Sequence, residues 1–383
     1  MKKLKLHLIL LKKVNFLVKK KPIREYMLNK KLRNITFAES INEALKQALL
    51  KDKSLICYGL GVTDPKAVFG TTKDLEKMFG SSRVFDMPTS ENAMTGVAIG
   101  AGLNKIKSVV THQRLDFFLL AMDQLVNGAA KYHYMYGSKL NVPITIRLII
   151  GRGWGQGPTH SQNLQAWFAH IPGLKVVMPS NAQDAKTLLL SSIQDPNPVI
   201  YLEHRWLHNS KGIVNKKAKV EKIGKAKVLN KGKDITLISM SYMTVECVQA
   251  ANFLKEKLNI SIEVIDLRSI KPIDWHTIFK SIKKTGRVLV VDTGFTTGSV
   301  AGEIIARIMI DNFESIKSPP ARLAMPDIPE PTSFALTKNF YIDAKKIAEK
   351  ILNIFSLNTD VIKNGFKKNK YHDVPDEYFK GPF

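Results

Sequence analysis

The chain is poor in cysteine, in acids and in long apolar runs. Only Cys57 and Cys247 occur among its 383 residues, far apart in sequence. Two isolated thiols exclude a disulfide framework and a cysteine-based metal finger. They fit a reducing compartment, and a cytoplasmic location is expected. No apolar run reaches the roughly 18 residues that a membrane span needs. The longest runs, around 142–150 and 288–291, have strand length. Tandem repeats are missing as well. Lys and Arg number 58 against 33 acids, a net charge of +25. That balance would suit an anionic partner. No nucleic-acid motif and no stripe of interleaved basic and aromatic residues accompanies it. Neither nucleic-acid binding nor a membrane span is therefore expected.

Much of the excess charge lies at the ends. Residues 1–33 hold twelve Lys or Arg and one acid, Glu25, and a second basic cluster spans 363–370. The opening MKKLKLHLILLKKVNFLVKKK starts like a signal peptide. However, Lys12 and Lys13 cut its apolar run and no A-x-A site follows. A targeting presequence and a true start at Met27 stand beside that reading. Apolar periodicity begins only near 35–38, so the leader 1–33 is expected to be weakly ordered. Deleting residues 1–26 should leave melting temperature and activity almost unchanged. A large drop in melting temperature would show that the segment packs on the body.

Strand and helix signals then alternate. Phe37, Ile41, Leu45, Ala48 and Leu49 recur at helical spacing over 36–49. Strands are expected at 54–59, 83–88, 108–111, 143–150, 175–178 and 198–202. Helices are expected at 91–102, 117–136 and 181–194, the last with Ser180 and Asn181 at its cap. Such alternation predicts a parallel α/β domain over 34–205. The Lys-rich stretch 206–228 reads as a linker. A second α/β domain follows over 229–355, with strands at 235–239, 261–266, 287–292 and 321–324. Its helices are expected at 245–258, 299–311 and 344–355. A polar tail, 356–383, ends the chain.

Three features between Arg83 and His160 point to chemistry. Glu91 opens a small-residue helix in T-S-E-N-A-M-T-G. Phe117 and Phe118 open a second helix, with Phe117 26 residues after Glu91. His160 ends the glycine-rich loop G-R-G-W-G-Q-G-P-T-H, followed by Ser161 and Gln162. The loop lacks G-x-x-x-x-G-K-[ST], and no dinucleotide fingerprint follows. Its glycines are read as letting the backbone pass close to a ligand. Taken alone, Glu91 reads as an acid favoured by a helix N-terminus. Phe117 alone reads as a core aromatic, and His160 as a loop histidine.

Taken together, their order resembles the beta subunit of the decarboxylating first component of 2-oxo acid dehydrogenase complexes. The pyruvate, branched-chain and acetoin enzymes are of this kind, within the transketolase superfamily. The resemblance runs from about residue 35 to 355 and is dense over 83–203. It implies a pyrimidine-binding thiamine-diphosphate fold with a parallel sheet, plus a transketolase C-terminal α/β domain. It also implies decarboxylation of a pyruvate-like 2-oxo acid, or cleavage of a ketone such as acetoin. In such enzymes the acyl group passes to the lipoyl acyltransferase component.

The same resemblance assigns roles. Glu91 bonds a ring nitrogen of the aminopyrimidine of thiamine diphosphate, Phe117 stacks on that ring, and Phe118 is left to packing. His160 stands over the reactive end, where an imidazole can take and give a proton. A potassium ion is implied at Ile144, Ser192, Ile193, Asp195 and Asn197, mainly through backbone carbonyls. No G-D-G occurs in the chain. That motif begins the magnesium and diphosphate site of these enzymes. The half that holds it is therefore expected on an alpha subunit, in an alpha2beta2 assembly.

One segment departs from the family. Where relatives often carry an acid, this chain reads T-H-Q-R-L over 111–115. His112 and Arg114 are expected to share a strand face. That face is read as meeting the alpha subunit or solvent; if instead it looks toward the substrate channel, Arg114 would pair with a second carboxylate or a phosphate. A split transketolase acting on sugar phosphates is a rival reading, kept open by Arg114, Arg152 and His204. A non-catalytic assembly partner is another, and Glu91, Phe117 and His160 together argue against it.

Overall fold

The computed structural model describes residues 32–151, 155–216, 220–363, 365–366 and 374. The leader reading, Arg152 and most of the tail lie outside the described residues. β1 (Leu32–Thr36) runs into α1 (Phe37–Lys51). The Thr36 hydroxyl accepts from Glu39 N at 3.1 Å, and the Glu39 carboxylate accepts from Thr36 N at 2.7 Å. Such a capping box contributes about 1 kcal/mol. The expected apolar stripe faces inward, with Phe37, Ile41, Leu45 and Leu49 buried.

β2 (Ile56–Gly59), α2 (Leu75–Phe79), β3 (Val84–Asp86), α3 (Glu91–Leu103) and β4 (Ser108–His112) follow. The expected helix 117–136 starts two residues early, as α4 (Leu115–Phe118). It passes through a 3-10 turn at Leu119–Ala121 and a π-helical stretch at Gln124–Ala129 into α5 (Ala130–Met135). Next come β5 (Ile144–Ile150), α6 (Gln165–His170), β6 (Lys175–Val177), α7 (Ala182–Gln194) and β7 (Val199–His204). Asn181 caps α7, its side chain accepting from Asp184 N at 2.9 Å.

The second half contains β8 (Lys211–Asn215), β9 (Lys227–Asn230), β10 (Ile235–Ser239), α8 (Tyr242–Leu258) and β11 (Ile262–Asp266). It continues with β12 (Ser269–Lys271), α9 (Trp275–Thr285), β13 (Val288–Phe295), α10 (Val300–Asn312), β14 (Ala321–Met325), α11 (Phe334–Thr337) and α12 (Ala344–Ile354). Helices α2, α6, α9 and α11 and strands β1, β8, β9 and β12 are not among the expected elements. α6 and β12 are too short to show periodicity. α9 follows Pro272 and buries only two large apolar side chains, Ile278 and Ile282.

The larger sheet has the order β12-β6-β7-β5-β4-β2-β3, and the second has β14-β13-β10-β11-β9. From β6 to β3 every pair in the larger sheet is parallel. β5 is buried along its whole length, as a central strand covered on both faces should be. The fold is thus α/β: among the described residues, two larger sheets with flanking helices and a two-stranded β1–β8 sheet.

The stretch 206–228, expected as a linker, carries ordered structure. Arg205–Leu207 form a buried 3-10 turn, and β8 pairs antiparallel with β1 from Leu32↔Asn215 to Thr36↔Lys211. β8 fully buries only Val214 of its five residues, so its short K-G-I-V-N sequence hides a strand held by backbone bonds. The two halves are also bolted together by polar groups. Ser180 Oγ donates to Asp266 Oδ2 at 2.5 Å, and Arg268 Nη1 donates to Asp184 Oδ1 at 3.1 Å.

Candidate active site

Parallel α/β sheets bind ligands in the crevice outside the carboxyl ends of their strands. β4, β5 and β7 are neighbours, and their carboxyl ends lead to Arg114, Gly151 and Arg205 respectively. The candidate residues collect around this edge.

Glu91 is the first residue of α3 and is 5% exposed. Among the described residues its carboxylate has no hydrogen-bond or ion-pair partner; the recorded bond is to its backbone oxygen, from Thr95 Oγ1 at 3.0 Å. α3 packs against α4, the helix that carries Phe117. The Phe117 and His160 rings meet edge to face, with centroids 5.3 Å apart and planes at 87°. Thr159 Oγ1 lies 2.9 Å from His160 Nδ1. Asp116 anchors the loop two residues after the histidine, its Oδ1 accepting from Gln162 Nε2 at 2.8 Å and from Gln162 N at 3.3 Å. Burial raises the Asp116 carboxyl above its usual range. Phe118 turns away into the core.

His112 and Arg114 do not share a face. β4 ends at His112, so strand alternation does not reach Arg114, which instead caps α4. The His112 ring is fully buried, edge-on to Phe118 at 5.0 Å, and neither nitrogen has a hydrogen-bond partner. Burial pushes its pKa down to about 4, so the ring is neutral. Arg114 lies toward the glycine loop. Its Nη1 donates to Gly151 O at 2.9 Å and its Nη2 to Gln156 Oε1.

Two further residues enter the site that local sequence gave no reason to expect. Arg205 is buried, with its guanidinium 4.2 Å above the Phe69 ring. Glu330, in the I-P-E-P turn of the second half, is 2% exposed. Burial, and then the charge of Asp116, push the Glu330 carboxyl up to about 7. The same turn braces the loop: a Cβ on Gly157, whose φ is +68°, would lie 2.4 Å from Thr332 Oγ1. Beneath the site, Arg147 and Glu203 form a fully buried bidentate pair at 2.6 and 3.0 Å. His208 Nε2 stands 3.2 Å from the same carboxylate.

The potassium positions lie at the opposite, amino-terminal edge of the sheet. Ile144 starts β5, and the register Thr145↔Val199 sets it beside the turn that precedes β7. Ser192 and Ile193 close α7. In the turn, Asn197 N donates to Asp195 Oδ1 at 3.0 Å, and Lys175 Nζ pairs with Asp195 Oδ2 at 2.5 Å. The side-chain oxygen of Asn197 is buried without a partner. Among the described residues no group of three or more His, Cys, Asp or Glu is placed to hold a metal. No helix among them is long and apolar enough to cross a membrane.

Residues 33–210 match the transketolase pyrimidine binding domain, and residues 224–347 match the transketolase C-terminal domain. The chain is 37% identical over 303 residues to the "Pyruvate dehydrogenase E1 component subunit beta-1, mitochondrial" of Oryza sativa subsp. japonica, covering 78% of this chain and 81% of that one. It is 36% identical over 304 residues to the "Pyruvate dehydrogenase E1 component subunit beta" of Rickettsia bellii, covering 79% and 93%. Among solved structures, a "Split gene transketolase, inactive beta4 tetramer" superposes with a TM-score of 0.68 over 84% of this chain and 99% of that one. At 18% identity this is a likeness of fold. With two transketolase-type domains and relatives matched over most of their length, the chain belongs to the family of pyruvate dehydrogenase E1 component beta subunits, the beta chains of thiamine diphosphate-dependent 2-oxo acid dehydrogenases.

Proposed function

We propose that this chain supplies the aminopyrimidine half of an active site that decarboxylates a pyruvate-like 2-oxo acid, completed by an alpha subunit. The observation that carries the reading is Glu91: a carboxylate 5% exposed, without a partner, on a helix packed against the one that bears Phe117. A buried carboxylate without a donor is costly unless something supplies one. A ring nitrogen of thiamine diphosphate fits that need, and the Phe117 ring offers an apolar face beside it. When bound, the cofactor supplies the carbanion chemistry of decarboxylation. Glu91 holds and shares a proton with the ring nitrogen. Thr159 and Asp116, through Gln162, fix the loop around His160, which orients the substrate and moves a proton at its carbonyl oxygen. The Thr332 turn closes the loop from the second half and limits water.

Magnesium and the diphosphate belong to the alpha subunit in this reading, because the chain has no G-D-G. The assembly is alpha2beta2, and a lipoyl acyltransferase component receives the acyl group. Potassium sits at Ile144, Ser192, Ile193, Asp195 and Asn197. The partnerless Asn197 oxygen supports a cation there, although Lys175 already answers Asp195. The two buried, free thiols fit a cytoplasmic setting.

Calorimetry tests the shared site. The full chain alone, with magnesium, should bind thiamine diphosphate poorly, since the metal-bound diphosphate lacks its ligands. Mixed with an alpha chain that carries G-D-G, it should bind saturably. Tight binding by the isolated chain would refute the half-site.

A further inference from the structure

The loop that carries His160 is held by residues the proposed chemistry does not use. Ser161 follows the histidine directly, and its backbone oxygen accepts from Asn163 Nδ2 at 3.2 Å. The Oδ1 of the same Asn163 accepts from Thr293 Oγ1 at 3.3 Å. Thr293 lies late in β13, in the second half of the chain. A second strap runs beside the first. Gln165 Nε2 donates to Asp292 Oδ1 at 2.6 Å, and Asp292 is itself fixed by Gly294 N at 3.0 Å and Ala301 N at 3.1 Å. Ser161, Asn163, Gln165, Asp292 and Thr293 are all buried. Asn163, Asp292 and Thr293 also line a small cavity with Gly151, where the glycine loop starts. The residues after His160 are thus tied to both halves: Gln162 to Asp116 in the first, and Ser161, through Asn163, to Thr293 in the second.

The donors and acceptors fix how the Asn163 amide lies. A backbone carbonyl only accepts, so Ser161 O must face the amide nitrogen. The amide oxygen is then left for the Thr293 hydroxyl, which donates. Turning the amide over would set two carbonyl oxygens against each other. We infer that Asn163 and Thr293 are positioning residues, through which the second half sets the place of the His160 ring over the reacting carbonyl. The inference deepens the proposed function and rests on it. The strap ends on the main chain next to the histidine, so losing it displaces the ring without changing its chemistry. Reaction geometry tolerates little of that, since a misplacement of about 1 Å can cost on the order of 10²-fold in rate.

Thr293→Val tests the strap, because it keeps the shape of the side chain and removes the donor. In the complex with an alpha subunit, kcat on a 2-oxo acid should fall about tenfold with KM little changed, as expected when a reacting group is displaced and binding is kept. Thr293→Ser, which keeps the hydroxyl, should return most of the rate. Should Thr293→Val fail to fold, Asn163→Ser, too short to span the gap, takes its place. The deciding comparison is made in His160→Ala. There Thr293→Val should add almost no further loss to the residual rate, because the group it positions is gone. An equal fold-loss in both backgrounds overturns the inference, and so does a Thr293→Val complex with wild-type kcat. A second readout needs no turnover. In the full chain with isotope-labelled histidines, the His160 ring resonance, identified by its loss in His160→Ala, should shift or broaden in Thr293→Val and return in Thr293→Ser. An unmoved resonance overturns the strap. A complex that turns over no 2-oxo acid, while the resonance responds as expected, refutes the proposed function and leaves the strap standing.

Discussion

Glu91→Gln should assemble normally with an alpha subunit and lose on the order of 10²-fold or more in turnover, the scale of a lost acid–base group. The amide matches the carboxylate in shape, so packing at the start of α3 is kept. No ion pair is broken, because the Glu91 carboxylate has none among the described residues. Stability should therefore hold, and can rise, since an unpaired buried carboxylate is replaced by a neutral group. This split between intact fold and lost rate separates a proton-sharing role from a structural one. Thermal denaturation and an artificial-acceptor assay on the assembled variant measure the two sides. Near-normal rates would remove Glu91 from the mechanism.

The opposite signature is expected beneath the site. Glu203→Gln should cost about 3–5 kcal/mol of stability, because it strands the Arg147 charge in a fully buried place. Burial alone would raise the Glu203 carboxyl, yet Arg147 and His208 hold it below its usual range. The pair is therefore ionised in the folded chain, and His208, its pKa lowered chiefly by burial, stands with Nε2 3.2 Å from the same carboxylate. Replacing both partners, as Arg147→Met with Glu203→Leu, should cost much less, since two desolvated charges leave together. Urea denaturation of the single and double variants measures the difference. Equal losses would mean that the two residues act independently.

The parallel sheets were legible because central strands such as 143–150 and 235–239 are continuous apolar runs between helical patterns. Glu91, Phe117 and His160 were legible only as an ordered set, each being ordinary on its own. The misses share a cause. β8 is short, with only Val214 fully buried, and its strand character comes from β1, about 180 residues earlier. Arg205 reads as no more than the last residue before the linker until Phe69 is brought to it. Glu330 reads as a turn acid until folding buries it beside Asp116. The His112–Arg114 pairing failed because alternation was carried past the end of β4. Periodicity reports which face of an element is dry. It carries no record of which distant charge will share a pocket.

The strand β12 has a consequence for dissecting the molecule. It comes from the second half, yet it completes the first half's sheet by pairing with β6. Cutting the chain near residue 220 would not yield two self-sufficient pieces. The front fragment would present β6 as a bare rim, the kind of surface that recruits any passing strand and seeds clumping. The rear fragment would carry the missing stave. Made together, the fragments have a built-in way to find one another; made singly, the front one has reason to stick to itself.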